Sequence, residues 1–212
     1  MTIKYKLRKE SKPTTSYGDY RDFIQQLVEV NKGQMSFEEY VSIYKCIESK
    51  NGCNLLVFGL GRDSNLWQMA NQNGKTIFLE DNSDWISESQ KYQLDVRQIY
   101  YTNVGSDAET LLEEYKSGKN NLGLDLPEDV RNINWDIIIV DAPAGYGLDM
   151  PCRMKSIYES YNLSKDFTDI FVHDCERDIE TMYTDYFFKD YTLLNEINDG
   201  IHGALKHFKE KA

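Results

Sequence analysis

The sequence predicts an α/β fold of the Rossmann-like type, in which a mostly parallel sheet carries helices on both faces. From Cys53 onward, short uninterrupted apolar runs alternate with stretches of helical periodicity, which is the pattern of parallel strands buried on both faces. The first run ends in two glycines, Gly59 and Gly61, where a helix is expected to begin. A nucleotide-binding sheet commonly starts with such a turn.

Five parallel strands are predicted in this core, each followed by a helix or a turn. The strands are expected at 54–59, 76–80, 97–102, 136–141 and 168–173. The helices are expected at about 64–72, 83–92, 107–117, 150–163 and 176–188. After Tyr191 the pattern becomes strand-like again around a glycine-containing turn. A closing hairpin is therefore expected, which adds an antiparallel edge strand and completes a seven-stranded sheet.

An N-terminal addition of two helices is predicted within residues 20–50. The second helix has a clear start signal, because Ser36 is followed three residues later by Glu39, as in a capping box. Residues 1–19 are polar and charged with little periodicity, which is typical of a loose arm. The whole chain is interpreted as a single domain, with its sheet core in residues 53–212.

Composition and charge exclude several kinds of partner. The formal net charge of −11 repels a phosphate backbone, so no nucleic-acid partner is expected. No apolar run approaches the roughly 20 residues of a membrane span, and the N-terminus lacks the apolar stretch of a signal peptide. A cytoplasmic location is expected on these grounds. The oligomeric state stays open.

The glycine turn is the first candidate binding site. Gly59 and Gly61 would let the backbone approach a ligand at the end of the first strand. Asp63 or Ser64 is expected to cap the helix that follows. Ser64 also stands where a dinucleotide-binding fingerprint has its third glycine. The fingerprint is therefore incomplete, which favours S-adenosylmethionine, a ligand without phosphate, over a dinucleotide.

An acidic pair at the end of the second predicted strand supports this interpretation. Glu80 and Asp81 follow the glycine turn after about 20 residues, where an acidic side chain accepts hydrogen bonds from the hydroxyls of an adenosine ribose. We expect both residues, together with Asp141, to contact the cofactor.

Acidic residues and a histidine follow the next two predicted strands. Asp141 ends one strand, and His173 and Asp174 end the other, so all three are expected on one rim of the sheet as catalytic residues. Two schemes would activate an acceptor hydroxyl for methyl transfer. In one, His173 is the general base. In the other, Asp141 and Asp174 hold a divalent metal cation that acidifies the hydroxyl. A purely structural role, with Asp141 as a turn cap and His173 in the core, is the third possibility.

Two arginines and a tyrosine near this rim are candidate substrate contacts. Arg153 and Arg177 would meet a substrate carboxylate through charge-assisted hydrogen bonds. Tyr146 lies in the turn that follows Asp141. All three are expected to bind the acceptor.

Four sequence blocks together resemble a known family. In chain order they are CNLLVFGLGRDSNLW, TIFLEDNSDWI, LPEDVRNINWDIIIVDAPAGY and FVHDCERDIETMYTDYFF. They are similar to the plant glucuronoxylan 4-O-methyltransferases and their irregular-xylem relatives, over about 35–208. The resemblance implies a class I methyltransferase fold, dependence on S-adenosylmethionine, a glycan acceptor such as O4 of glucuronic acid, and association with a divalent metal.

The resemblance also implies roles for individual residues. It gives Gly59, Gly61, Ser64 and Glu80 to the cofactor, and places Asp141, His173 and Asp174 at the reaction centre. The chain departs from the family pattern at two positions: Arg62 stands where the glycine turn has a histidine, and Ala144 where a basic residue follows the Asp-Ala-Pro block. These departures leave the acceptor sugar open.

Two other classes of protein are compatible with the same fold. One is a nicotinamide-dependent oxidoreductase, which the incomplete fingerprint disfavours. The other is a non-catalytic glycan-binding protein that retains the fold.

Overall fold

The apolar runs of the sequence form the strands of one sheet. The computed structural model describes residues 17–103, 105–147 and 150–210. Its strands are β1 (Asn54–Phe58), β2 (Lys75–Glu80), β3 (Val96–Gln98), β4 (Ile137–Val140), β5 (Asp169–Val172), β6 (Tyr191–Ile197) and β7 (Leu205–Glu210).

The strand order is β3-β2-β1-β4-β5-β7-β6. The first five strands in chain order are parallel, and β7 is antiparallel to both β5 and β6. The predicted mostly parallel sheet of seven strands, with an antiparallel hairpin at one edge, is confirmed. Because the order reverses between β1 and β4, the carboxyl ends of these two strands border the crevice in which such sheets bind ligands.

The helices cover both faces of the sheet. They are α1 (Tyr17–Val30), α2 (Phe37–Ser49), α3 (Ser64–Ala70), α4 (Ser83–Ser89), α5 (Ala108–Lys116), α6 (Glu128–Arg131), α7 (Met154–Leu163) and α8 (Asp178–Phe187). Side chains of β1 alternate between two cores: Leu55 and Val57 pack with α1, α2 and α3, while Leu56 and Phe58 pack with α5, α7 and α8. This alternation follows from the two-residue period of a strand.

The N-terminal helices differ from expectation at their start. Residues 17–19 belong to α1 rather than to a loose arm, and the rest of the expected arm, residues 1–16, lies outside the described residues. The buried face of α1 is formed by Tyr20, Ile24 and Leu27, whereas Val30 is 52% exposed. The predicted capping box of α2 is confirmed by its two reciprocal hydrogen bonds between Ser36 and Glu39.

Two element boundaries differ by four residues from the predicted ones. The third strand ends at Gln98 instead of residue 102, because an edge strand pairs only with β2 and the chain then turns away. The helix expected from residue 150 begins at Met154. The carbonyl of Pro151 instead accepts a hydrogen bond from Asn103.

Among the described residues, no helix has the length and apolar character needed to cross a bilayer.

A buried carboxylate joins α2 to the sheet on the side opposite the crevice. Asp169, the first residue of β5, lies 2.8 Å from Nζ of Lys50, 2.9 Å from Nε2 of His207 and 3.1 Å from Nζ of Lys209. Burial alone would raise the pKa of Asp169, but these three partners hold it well below its usual range. The ion pairs therefore stabilise the folded chain while Asp169 is ionised.

We expect Asp169→Asn to lower the free energy of unfolding by about 2 kcal/mol at pH 7, at the low end for buried pairs because the lysines are partly exposed. The folded-state pKa is depressed, so the contribution is present above the unfolded pKa, about 4, and is lost as pH falls below it. Urea unfolding at pH 7 and pH 3 should show the difference from wild type shrinking at pH 3. The exposed Asp166→Asn serves as control; an equal effect of both variants would contradict the ion-pair account.

Candidate active site

The carboxyl ends of β1, β2, β4 and β5 border a cavity of about 500 Å³. Four segments of the sheet core and one segment of the N-terminal helical addition form its walls. The lining residues include Asn31, Gln34, Tyr40, Gly59, Gly61, Asp63, Glu80, Asp81, Trp85, Asp141, Tyr146, Arg153, Asp174 and Arg177. The cavity therefore lies at the point where the strand order reverses.

The glycine turn approaches the turn after β4 closely. Gly59 has a φ of +116°, a conformation that side chains rarely adopt, and a Cβ there would lie 2.8 Å from Cβ of Ala142. Ser64 does not cap α3. Its hydroxyl accepts a hydrogen bond from the Gly61 amide at 3.0 Å and so stabilises the glycine turn. Asp63 occupies the cap position but makes no side-chain capping bond. The expected capping by either residue was therefore wrong.

Glu80 joins the ends of β1 and β2. Its Oε2 accepts a hydrogen bond from the Leu60 amide at 2.6 Å, and its Oε1 accepts from the amides of Asp81 and Asn82 at 3.0 and 2.7 Å. Burial raises the pKa of Glu80 to about 7 against the effect of these bonds. Because a carboxylate offers about four acceptor positions, Glu80 retains one for a ligand in the cavity.

Asp63 is a cavity residue that the sequence suggested only as a helix cap. Burial and the nearby charge of Asp141 raise its pKa to about 7. Two carboxyl groups, Asp63 and Asp141, thus face the same space from the ends of β1 and β4. The acidic residue directly after the glycine turn was the available signal for this role.

The structure brings together the three residues predicted on the rim. Oδ1 of Asp141 lies 3.1 Å from Nδ1 of His173, which in turn lies 3.4 Å from Oδ1 of Asp174. They differ in access: the side chain of Asp141 is 24% exposed and lines the cavity, whereas His173 is 2% exposed and sits behind it. Only Asp141 and Asp174 are therefore placed to meet a ligand.

Arg153 holds this cluster together from α7. Its Nη2 donates to Oδ1 of Asp141 at 2.8 Å, and its Nη1 lies 2.5 Å from Oδ2 of Asp174. Burial would raise the pKa of Asp141, but Arg153 and His173 lower it below its usual value. For His173, burial would lower the pKa, but Asp141 raises it. The geometry therefore favours an ionised Asp141 beside a protonated imidazole.

The donor atoms of a metal site are close together, but their charges are already matched. Single ligand atoms of Asp141, His173 and Asp174 lie within 4.8 Å of one another. The guanidinium of Arg153 contacts both carboxylates. A divalent cation on the same oxygens would lie beside this buried cation and be repelled by it. The arrangement therefore does not fit a divalent ion bound by Asp141 and Asp174.

The predicted substrate contacts separate into buried and exposed groups. Arg153 lines the cavity, but its guanidinium already contacts Asp141 and Asp174. Arg177 is about one-third exposed and its Nη1 lies 2.9 Å from Oδ2 of Asp174. Tyr146 is 80% exposed at the cavity mouth. The partly exposed Arg177 and the exposed Tyr146 are thus the ones accessible to an acceptor.

The sequence reasoning missed the contribution of the N-terminal helices. Asn31, Gln34 and Tyr40, from the α1–α2 connection and α2, line the cavity. Nη1 of Arg62, in the glycine turn, donates to Oδ1 of Asn31 at 2.8 Å. No local signal marks these residues, because their approach to the sheet depends on how α1 and α2 pack on it.

Solved structures with this fold define the class of protein. The chain superposes on a candidate caffeoyl-CoA O-methyltransferase from Staphylococcus aureus with a TM-score of 0.54 and 17% identity, covering 89% of this chain and 91% of that one. A TehB-like SAM-dependent methyltransferase from Corynebacterium glutamicum gives 0.52 and 10%, covering 91% and 97%. The fold is that of the class I methyltransferases.

The sequence profile of the IRX15/IRX15L/GXM family matches residues 38–208. The chain belongs to this family. It is 34% identical to glucuronoxylan 4-O-methyltransferase 3 of Arabidopsis thaliana, over 82% of this chain and 63% of the relative. It is 33% identical to arabinogalactan O-methyltransferase 2 of the same plant, over 83% and 67%. The chain thus spans about two thirds of the length of these curated relatives.

Proposed function

We propose that this protein transfers a methyl group from S-adenosylmethionine to a sugar hydroxyl of a glycan. The observation that carries the proposal is one cavity, at the reversal of strand order, that joins the glycine turn, Glu80 and Asp141. Family membership supports it, because relatives are named as methyltransferases of glucuronoxylan and of arabinogalactan.

The charge of the cavity favours this cofactor over a dinucleotide. Among the described residues, five acidic side chains line it against three arginines: Asp63, Glu80, Asp81, Asp141 and Asp174 against Arg62, Arg153 and Arg177. S-adenosylmethionine carries a positive sulfonium and an ammonium group, which carboxylates attract, whereas the pyrophosphate of a dinucleotide would be repelled. In the proposed complex, the backbone of the glycine turn allows close approach, and Glu80 accepts a hydrogen bond from the ribose.

Asp141 is the proposed general base. When bound, S-adenosylmethionine supplies a methyl group on a positively charged sulfur, which leaves as a neutral thioether. Oδ1 of Asp141 is held by Arg153 and His173, and among the described residues none donates a hydrogen bond to Oδ2. Oδ2 therefore accepts the proton that the acceptor hydroxyl loses as its oxygen is methylated. His173, buried behind Asp141, acts through it rather than on the acceptor.

The acceptor is proposed to enter beside Tyr146 and Arg177. The exposed ring of Tyr146 would pack against a sugar, and the guanidinium of Arg177 would bind a carboxylate of a uronic acid by charge-assisted hydrogen bonds. O4 of a glucuronic acid residue is one hydroxyl that this arrangement would accommodate.

Binding of the product nucleoside tests the cofactor site. We expect Glu80→Ala to weaken S-adenosylhomocysteine binding by about 10-fold or more, since a charge-assisted bond to the ribose is lost, and Glu80→Gln to weaken it less. Isothermal titration calorimetry measures both, with the exposed Glu88→Ala as control. Titration with NADH and NADPH should show no binding. Unchanged affinity for S-adenosylhomocysteine in Glu80→Ala, or tight NADH binding, would contradict the assignment of this cavity to S-adenosylmethionine.

The rate of methyl transfer tests the assignment of Asp141 as the general base. Asp141→Asn should lower methyl transfer by about 100-fold or more, as expected for loss of a general base, while S-adenosylhomocysteine still binds. Labelled S-adenosylmethionine with a panel of uronic-acid and deoxysugar glycans provides the assay, and the exposed Asp125→Asn is the control. A folded wild-type protein that binds glycans without transferring label would instead be a non-catalytic binding protein.

Chelation tests the role of Arg153 beside the carboxylates. Because the guanidinium groups of Arg153 and Arg177 already balance the charges of Asp141 and Asp174, we propose that transfer needs no divalent cation. Rates measured after exhaustive dialysis against EDTA should equal those with added Mg²⁺, Mn²⁺ or Co²⁺. A loss of activity on chelation that one of these ions restores would contradict this proposal.

A further inference from the structure

Two buried polar atoms on different elements face each other without a hydrogen bond. Oε1 of Glu39 and Nε2 of His173 both lack a partner among the described residues, and they lie 3.7 Å apart. Glu39 is 1% exposed, and burial raises its pKa. Leaving a buried carboxylate incompletely satisfied is costly, so the arrangement needs an explanation.

The capping box of α2 holds Glu39 in this position. Oε2 accepts a hydrogen bond from the Ser36 amide at 2.6 Å, which leaves Oε1 directed at His173. A capping glutamate needs only the hydrogen bond from the Ser36 amide, not the contact with His173. Its complete burial against the end of β5 is therefore not required by capping.

The imidazole of His173 is confined on its other sides. Nδ1 lies 3.1 Å from Oδ1 of Asp141, and Arg153 donates to the backbone carbonyl of His173. A Cβ on Gly203 would lie 2.7 Å from Nε2, so only glycine fits beside the ring. The ring therefore has one orientation, with Glu39 at one nitrogen and Asp141 at the other.

We propose that Glu39 is a positioning residue for methyl transfer, which acts on the base Asp141 through His173. The inference rests on the proposed function. In the ligand-bound protein the contact shortens to a hydrogen bond, as catalytic contacts often do, and one proton lies between Oε1 and Nε2. Nδ1 then donates a charge-assisted hydrogen bond to Oδ1 of Asp141, which holds Oδ2 toward the acceptor. The N-terminal helices thus complete the catalytic machinery.

Glu39→Gln is the discriminating variant, because glutamine can keep the capping bond to Ser36. Its amide would donate to Nε2, so His173 would lose the Nε2 proton and the imidazolium charge. We expect kcat to fall about 10-fold, with KM for S-adenosylmethionine unchanged, because Asp141 is held less firmly. The exposed Glu38→Gln on the same turn of α2 carries the same charge change and should match wild type.

A double-mutant cycle separates positioning from support of the fold. If Glu39 acts through His173, Glu39→Gln should cause no further loss in a His173→Asn background. Equal losses in both backgrounds, or an unchanged kcat in Glu39→Gln, would overturn the proposal. Thermal unfolding of each variant identifies any loss that comes from misfolding, and Glu39→Asp, which keeps the charge, should then recover part of the rate.

Nitrogen NMR tests the contact without an acceptor. The chain has three histidines, so the Nε2 signal of His173 can be assigned by substitution. With S-adenosylhomocysteine present, this nitrogen should carry a proton in wild type and in Glu38→Gln, and should lose it in Glu39→Gln. A proton that persists in Glu39→Gln overturns the contact. A wild-type protein that transfers no methyl group overturns the proposed function instead, while the NMR result still decides the contact.

Discussion

The guanidinium of Arg153 is the interaction on which the candidate site depends. It is buried at the start of α7 and bonds to Asp141 after β4 and to Asp174 after β5. Without it, two carboxylates would face each other at low solvent exposure, which is unfavourable. With it, the ends of two parallel strands are held together, Asp141 stays ionised, and one of its oxygens remains for a ligand. The same charge explains why these carboxylates do not fit a divalent cation.

The N-terminal helices contribute side chains to the candidate site. They pack on the face of the sheet opposite α5, α7 and α8, and their connection lines the cavity beside the glycine turn. Glu39 reaches the back of His173 from the same helices. The sheet is thereby linked to these helices at two points of the site. The family match begins at residue 38, within α2, and therefore includes Glu39.

The sequence predicted much of the architecture because its signals were local. Uninterrupted apolar runs located β1, β2, β4 and β5, and the Ser36–Glu39 spacing located the start of α2. The predictions failed where neighbouring elements decide the outcome. The third strand ends early because it has only one neighbour. Arg153 was assigned to a substrate on its charge, and nothing in its local sequence indicated the two carboxylates that surround it.

By itself, the sequence determined the order of the elements, the glycine turn and the acidic strand ends, because strand and helix periods and turn residues are properties of neighbouring positions along the chain. The tertiary structure alone decided which of these groups faces the cavity and which lies behind it. Asp141 and His173 both directly follow strands, yet one is accessible and the other is enclosed by Glu39 and Gly203. Accessibility and pKa depend on atoms distant in sequence, so they emerge only when the helices pack on the sheet.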